Sequence, residues 1–347
     1  MATDKIIVGI TQGDINGIGY EIIIKTLQDA RLLDLFTPVI YGSPKIAAYH
    51  RKALNIGNFN LNNIKKIEDA NHKRINVINC NDDNVRVELG KSSTMSGQAA
   101  YQALEIATSD LVAKRIDVLI TAPINKHNIQ SDSFNFPGHT EYLASKAGSE
   151  QALMLMVGPQ IRVGVVTGHV PVSQISELIT KDAIVGKLRQ LDATLKQDFG
   201  IRKPKIAVLG LNPHAGDNGL LGDEEEESIV PAIKQVRDEK ILAMGPYPAD
   251  GFFGSDNYTK FDAILAMYHD QGLVPFKALS FDRGVNFTAG LPIIRTSPGH
   301  GTAFEIAGKG EATPESFREA LFLALDIYKN RKTYKELLAN ALADSSK

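Results

Sequence analysis

The chain of 347 residues lacks most of what marks a secreted, membrane-spanning or nucleic-acid-coating protein. Its one cysteine, Cys80, cannot form an intrachain disulfide, so a reducing compartment, the cytoplasm, is the expected setting. Lys and Arg number 38 against 40 Asp and Glu, a net charge of −2, which lacks the basic excess of a generic nucleic-acid binder. No apolar run approaches the ~20 residues that span a bilayer. The opening residues pass directly into a strand-like run, without the basic start and cleavage site of a signal peptide. There is no internal repeat, low-complexity segment or obvious linker, so any two compact units are expected to be built discontinuously.

What is present is ordinary globular composition, 43% hydrophobic and 22% charged, with a clear alternation of elements. Short β-branched or apolar runs at 6–10, 38–41, 75–78, 118–121, 152–157, 162–167, 205–211 and 263–268 read as strands. Amphipathic stretches at 96–114, 181–198, 223–239, 314–329 and 333–342 read as helices. Near-continuous apolar runs separated by helices predict an α/β fold with buried parallel strands. The run Asp223-Glu-Glu-Glu-Glu227 reads most simply as a solvated helix N-terminus.

Eight histidines are distributed unevenly. His50, His72 and His127 lie in polar surroundings with no special feature. His139, His169, His214, His269 and His300 sit in Gly- or Pro-rich loops. Three of these, His169, His214 and His269, follow strand-like runs directly, and in a parallel α/β sheet ligands bind beyond the carboxyl ends of strands. A lone loop histidine is usually a surface residue. Three at matching positions suggest instead a catalytic divalent-metal site with an open coordination position. Asp250 and Asp270 could add a ligand or an orienting carboxylate. The wide spacing matches no local zinc-finger pattern, so the fold must assemble such a site.

Other segments are more ambiguous. The glycines of Gly13-Asp-Ile-Asn-Gly17-Ile-Gly19 follow the first strand, but their spacing is wrong for a dinucleotide fingerprint, and a tight strand-to-helix turn explains them. Lys126 follows another strand and either faces the ligand crevice or begins the next helix. Lys277, Arg283, Asn286 and Arg295 gather within 276–301, either as an anion site suited to phosphate or carboxylate or as ordinary surface groups.

Taken in order, these motifs resemble one family over nearly the whole chain. They are Thr-Gln-Gly-Asp at 11–14 with Gly-Ile-Gly at 17–19, Thr-Ala-Pro-Ile-Asn-Lys at 121–126, Phe-Pro-Gly-His-Thr-Glu at 136–141, Thr-Gly-His-Val-Pro at 167–171 and Leu-Asn-Pro-His-Ala-Gly at 211–216. Pro-Tyr-Pro-Ala-Asp at 246–250, Tyr-His-Asp-Gln-Gly at 268–272, and the block 284–297 followed by His-Gly-Thr-Ala at 300–303 complete the set. The pattern is similar to that of the 4-hydroxythreonine-4-phosphate dehydrogenases of pyridoxal phosphate biosynthesis.

The resemblance implies two α/β/α subdomains around a central cleft, like isocitrate and isopropylmalate dehydrogenases, which accounts for the missing Rossmann signature. The expected division is 1–135 plus 302–347 against 136–301, the second carrying most metal and substrate residues. The resemblance also implies NAD- or NADP-linked oxidation of 4-phosphohydroxy-L-threonine, followed by decarboxylation to 3-amino-2-oxopropyl phosphate. It assigns a divalent ion (zinc, magnesium or cobalt) to His169, His214 and His269. That site is shared across a homodimer, one histidine coming from the partner. His139, Thr140, Lys277, Asn286 and Arg295 are implied to contact the phosphorylated substrate. The general base is open among Asp250, His139 and Lys126, and no residue is assigned to the nucleotide.

Ile15, Tyr20 and Gly299 depart from the family pattern, which has prolines at the first two positions and an acidic residue at the third. Gly299 keeps open a related dehydrogenase acting on 4-phospho-threonate or 4-phospho-erythronate, substrates without the amine. A metal-dependent lyase or hydrolase and a non-catalytic phospho-ligand sensor are more distant alternatives.

Overall fold

A computed structural model of the chain describes residues 5–82, 84–149 and 152–340. Twelve strands occur among them: β1 Ile6–Thr11, β2 Phe36–Gly42, β3 Leu61–Ile64, β4 Ile75–Asn79, β5 Val118–Thr121, β6 Leu153–Val157, β7 Arg162–Val165, β8 Lys205–Leu209, β9 Leu242–Tyr247, β10 Ala263–Ala266, β11 Val285–Ala289 and β12 Arg295–Pro298. The α/β expectation holds. The chain divides into two compact units, Met1–Ala152 with Asp282–Ala324, and Leu153–Phe281 with Leu325–Lys347. These boundaries differ from the expected ones because β12 pairs with β5, which draws 282–324 into the first unit. His139, Thr140, Asn286 and Arg295 therefore belong to the first unit with Lys126, and the second keeps His169, His214, Asp250, His269 and Lys277.

In the first unit the strands run in the order β3-β4-β2-β1-β5-β12-β11. Pairing is parallel from β3 through β12, and β11 is antiparallel to β12. Apolar residues such as Val39, Leu104, Ala107 and Leu119 form its core, with the helix Thr94–Val112 packed against β1, β2 and β5. Ser93 caps that helix by accepting from the Ser96 amide at 3.1 Å. The glycines after β1 serve packing. A Cβ at Gly13 (φ +68°) would stand 2.4 Å from the Pro123 carbonyl oxygen, and one at Gly19 would stand 2.4 Å from that of Gln12. Tyr20, fully buried, donates to Gln12 Oε1 at 2.9 Å, and Asn16 holds the 88–91 loop through the Glu88 amide and the Lys91 carbonyl. This segment is a packing hub, as the tight-turn reading expected.

The second unit has the order β6-β7-β10-β8-β9, parallel except for the β6–β7 pair. Val163, Val165, Ala207, Leu209, Ile264 and Phe276 fill its core. A buried ion pair joins Arg331 Nε to Asp198 Oδ1 at 2.6 Å. One helix, Glu315–Ala339, replaces the two expected at 314–329 and 333–342; residues 341 and 342 lie outside the described part. Among the described residues no helix is long and apolar enough to cross a membrane.

Candidate active site

The polar face of the first unit is organised around Arg295. Its position on β12 is level with Leu119 of β5, which puts Thr121, two residues on, on the same face. Across the β11–β12 pair, Asn286 and Thr288 alternate onto one side. Arg295 is 2% exposed, and among the described residues its guanidinium hydrogen-bonds to no carboxylate. Nε and Nη2 donate to Thr121 Oγ1 at 2.9 and 2.6 Å, Nη1 donates to Thr288 Oγ1 at 3.0 Å, and Nη2 also donates to His139 Nδ1 at 2.9 Å. Burial pushes the guanidinium down to about 9, against an upward pull from the Glu141 carboxylate. It stays charged at neutral pH, and a buried cation surrounded by hydroxyls is a strong attractor for an anion.

His139 completes this arrangement. Because Nδ1 accepts from Arg295, the neutral ring carries its proton on Nε2, and that atom is buried without a hydrogen-bond partner among the described residues. Burial first, then the positive charges of Arg295 and Lys126, hold the imidazole well below its usual range, so the ring is neutral near pH 7. It opens the helix His139–Lys146, whose N-cap Gly138 offers no side-chain bond to the first-turn amides; Thr140 is the second residue. Lys126 does not begin a helix. It lies in the turn after β5, exposed, and its Cε would be 3.6 Å from a Cβ at Gly138.

Asn286 Oδ1 and His300 Nε2 are among the further buried polar atoms of this unit that have no hydrogen-bond partner among the described residues. Orphaned buried polar atoms are rare in folded proteins and call for a partner from outside the chain, an ordered water or a ligand. His300 received no role from sequence reasoning. Its Nδ1 faces the Gly301 carbonyl at 3.1 Å, which leaves Nε2 as an acceptor. Its Gly-rich loop and the His-Gly-Thr-Ala motif at 300–303 were the signals the sequence carried for it.

In the second unit, His169 follows β7 and His269 opens the helix His269–Ser280 after β10. Their ring centroids are 5.5 Å apart. Two imidazoles on one tetrahedral ion, at ~2.1 Å each, would put their centroids roughly 5–6 Å apart, so this pair has suitable spacing. Asp270 Oδ1 lies 2.6 Å from His269 Nδ1, which directs the Nε2 lone pair outward, as an orienting carboxylate does for a metal ligand. His214 follows β8 in the turn Pro213–Gly216, exposed and with left-handed backbone (φ 54°, ψ 24°). Among the described residues, no group of three or more His, Cys, Asp or Glu is close enough to hold a metal ion. The donor type suits a divalent ion, and one chain brings together two of the three expected imidazoles. Asp250 is exposed on the short helix Ala249–Phe253, which packs against the His214 turn. Lys277 is exposed on the helix that His269 opens, eight residues or about 12 Å further along its axis.

The acidic run departs most from expectation. Glu225 is 3% exposed and its carboxylate is engaged by the 211–212 backbone, so this member of the run is not solvated.

The family model described as "Pyridoxal phosphate biosynthetic protein PdxA" matches residues 34–324. A Bacteroides thetaiotaomicron protein named 4-hydroxythreonine-4-phosphate dehydrogenase is 55% identical over 99% of this chain and 94% of its own length. An Oceanobacillus iheyensis protein named putative D-threonate 4-phosphate dehydrogenase is 42% identical, covering 93% of this chain and 98% of its own. A crystal structure of 4-hydroxythreonine-4-phosphate dehydrogenase from Klebsiella pneumoniae superposes with a TM-score of 0.81 at 33% identity, covering 94% of this chain and 99% of that one.

Proposed function

The chain belongs to the PdxA family of pyridoxal phosphate biosynthetic proteins, and on that premise we propose that it oxidises 4-phosphohydroxy-L-threonine with NAD or NADP. The observation that carries this reading is the Arg295–His139 pair, a buried cation beside an unpartnered N–H, which suits a phosphorylated substrate.

In this reading Arg295, the His139 Nε2 proton and the first-turn amides at His139 and Thr140 bind the phosphate, as helix N-termini favour anions. Asn286 Oδ1 accepts from a substrate donor and Lys277 adds positive charge. The secondary alcohol at C3 loses hydride to the nicotinamide and its hydroxyl proton to a base, giving 2-amino-3-oxo-4-phosphooxybutanoate. This β-keto acid releases its carboxylate as CO2, and C2, left with the bonding pair as an enolate, takes up a proton to give 3-amino-2-oxopropyl phosphate. Of the three candidate bases His139 is the poorest, since its lone pair is taken by Arg295 and its other nitrogen already carries hydrogen. Asp250, an exposed carboxylate beside the His214 turn, is assigned the proton. His169 and His269 would hold the divalent ion, with a further imidazole from a second copy of the chain in a homodimer. When bound, such an ion acts as a Lewis acid that acidifies a hydroxyl and polarises a carbonyl.

A second reading has support from one observation, the 42% identity to a protein named as a D-threonate 4-phosphate dehydrogenase. It uses the same phosphate site and the same oxidation on a substrate without the amine. Reduction of NAD and NADP by both substrates, with and without a chelator, separates the two readings. A higher kcat/KM for the aminated substrate is expected. No reduction with either substrate, in the presence of added divalent ion, ends the dehydrogenase reading.

A further inference from the structure

The His214 turn is held by two carboxylates of the acidic run. Glu225 pairs with no cation among the described residues. Instead its Oε1 accepts from the amides of Leu211 and Asn212 at 2.7 and 2.8 Å, and its Oε2 accepts from Asn212 Nδ2 at 2.9 Å. Glu224 Oε2 accepts from the same Nδ2 at 2.7 Å, and Glu224 Oε1 accepts from Ser176 Oγ at 2.5 Å. Both carboxylates therefore converge on Asn212, two residues before His214.

The surroundings are built to admit them. A Cβ at Gly210 would stand 3.0 Å from Glu225 Oε1, one at Gly216 would stand 2.8 Å from Glu225 Oε2, and one at Gly222 would stand 2.5 Å from Asn212 Nδ2. Glu225 also begins a single π-helical turn, Glu225–Ile229, a rare element that concentrates at functional sites. Downstream of the clamp the backbone is left-handed at four non-glycine residues, His214 (φ 54°), Ala215 (φ 53°), Asp217 (φ 43°) and Asn218 (φ 57°). Such strain persists only where surrounding contacts over-determine it. The buried Glu225 carboxylate fixes the 211–212 backbone that leads into this turn.

We propose that Glu225, assisted by Glu224, is a positioning residue: by clamping the 211–212 backbone it holds the strained turn that presents the His214 imidazole to the divalent ion. This rests on the reading in which His214 is a metal ligand. Glu225 touches neither ion nor substrate and acts only through the turn.

The test is a calorimetric titration of Co2+ into the metal-stripped full-length protein, comparing wild type, Glu225→Ala, His214→Ala and the double variant, each checked for a cooperative thermal transition. Glu225→Ala is expected to weaken Co2+ binding by about ten- to a hundred-fold, the usual cost of losing an orienting partner. In the His214→Ala background the same change is expected to have no further effect, because the route through His214 is gone. Glu225→Gln, which keeps one oxygen for the two amides, is expected to recover most of the affinity. Wild-type affinity in Glu225→Ala, or an equal loss in both backgrounds, overturns the proposal. If Glu225→Ala does not fold, Asn212→Ala replaces it in the cycle and must show the same dependence on His214; additive losses overturn the proposal there too. Unchanged affinity in His214→Ala alone removes the metal reading and this proposal with it. Loss in His214→Ala with none in Glu225→Ala removes only the proposal.

Discussion

The amide of Gly299 donates to the carbonyl of Gly284 at 2.8 Å, and a Cβ placed at 299 would stand 2.8 Å from that same oxygen. The Ser316 hydroxyl accepts from the Gly299 amide at 2.9 Å and donates to the Gly284 carbonyl at 2.6 Å, which locks the approach. An acidic residue expected at this position therefore has no room on the present backbone. Gly299→Asp is predicted to behave as an overpacked variant, destabilised by about 1–3 kcal/mol, which corresponds to a fall in Tm of several degrees. Thermal denaturation checks this, together with kcat/KM on aminated and amine-free substrates. An unchanged Tm combined with inverted substrate preference would return Gly299 to the role of specificity determinant.

Replacing Arg295 by Lys keeps the charge and removes the fork that reaches Thr121, Thr288 and His139 at once. A charge-assisted hydrogen bond contributes about 1.5–3 kcal/mol, so KM for the phosphorylated substrate is predicted to rise at least about tenfold. The fall in kcat is predicted to be smaller, because the phosphate is bound alike in ground and transition states. Steady-state kinetics with each substrate measures the split. A KM unaffected by Arg295→Lys would remove Arg295 from the anion site.

What was legible in the sequence, and what was not, follows from how each residue is buried. The strands carrying His169, His214 and His269 were readable because β7, β8 and β10 are apolar, and strand ends are where α/β ligands bind. The β11–β12 pair was missed. Arg295-Thr-Ser-Pro298 is buried throughout, yet the Thr296 hydroxyl and the Arg295 guanidinium are engaged by bonds that no hydropathy pattern shows. That omission moved the expected unit boundary. Glu225 was misread for the same reason, since a carboxylate held by backbone amides looks in sequence like any surface glutamate. His50, whose polar sequence context carries no special feature, is 1% exposed.

His50 also provides a pH prediction. Its Nε2 donates to the Ile15 carbonyl at 2.8 Å, its ring lies against Tyr20, and burial lowers its pKa to about 4. With the folded value below the unfolded one of ~6.5, the unfolded chain binds the proton first. The stability due to the neutral ring is thus complete above pH ~6.5 and is lost as pH falls towards about 4. At ~1.4 kcal/mol per unit the loss is roughly 3 kcal/mol. His50→Gln, which keeps a donor for Ile15, is predicted to be less stable near pH 7 and to lose less stability between pH 6.5 and 4.5. Denaturant titrations at several pH values measure the two slopes. Parallel slopes in wild type and variant would show that His50 is not the titrating group.

The contact between His269 and Asp270 separates charge from orientation. As an ion pair it should contribute little, since Asp270 is 76% exposed and exposed pairs contribute ~0–1 kcal/mol. Its expected importance is to hold the Nδ1 proton so that Nε2 faces outward beside His169. Asp270→Asn still offers a carbonyl oxygen to Nδ1 but removes the negative charge that raises ligand basicity, so Co2+ affinity is predicted to fall by up to about tenfold. Asp270→Leu removes the acceptor altogether and is predicted to cost more, with Tm nearly unchanged in both variants. His269→Ala should abolish tight binding, and chelation of the wild type should abolish turnover until divalent ion is restored. The order His269→Ala, then Asp270→Leu, then Asp270→Asn, from greatest to least loss, is the signature of an orienting carboxylate. Equal Co2+ affinity in wild type and Asp270→Leu would show that the imidazole is held by the backbone alone.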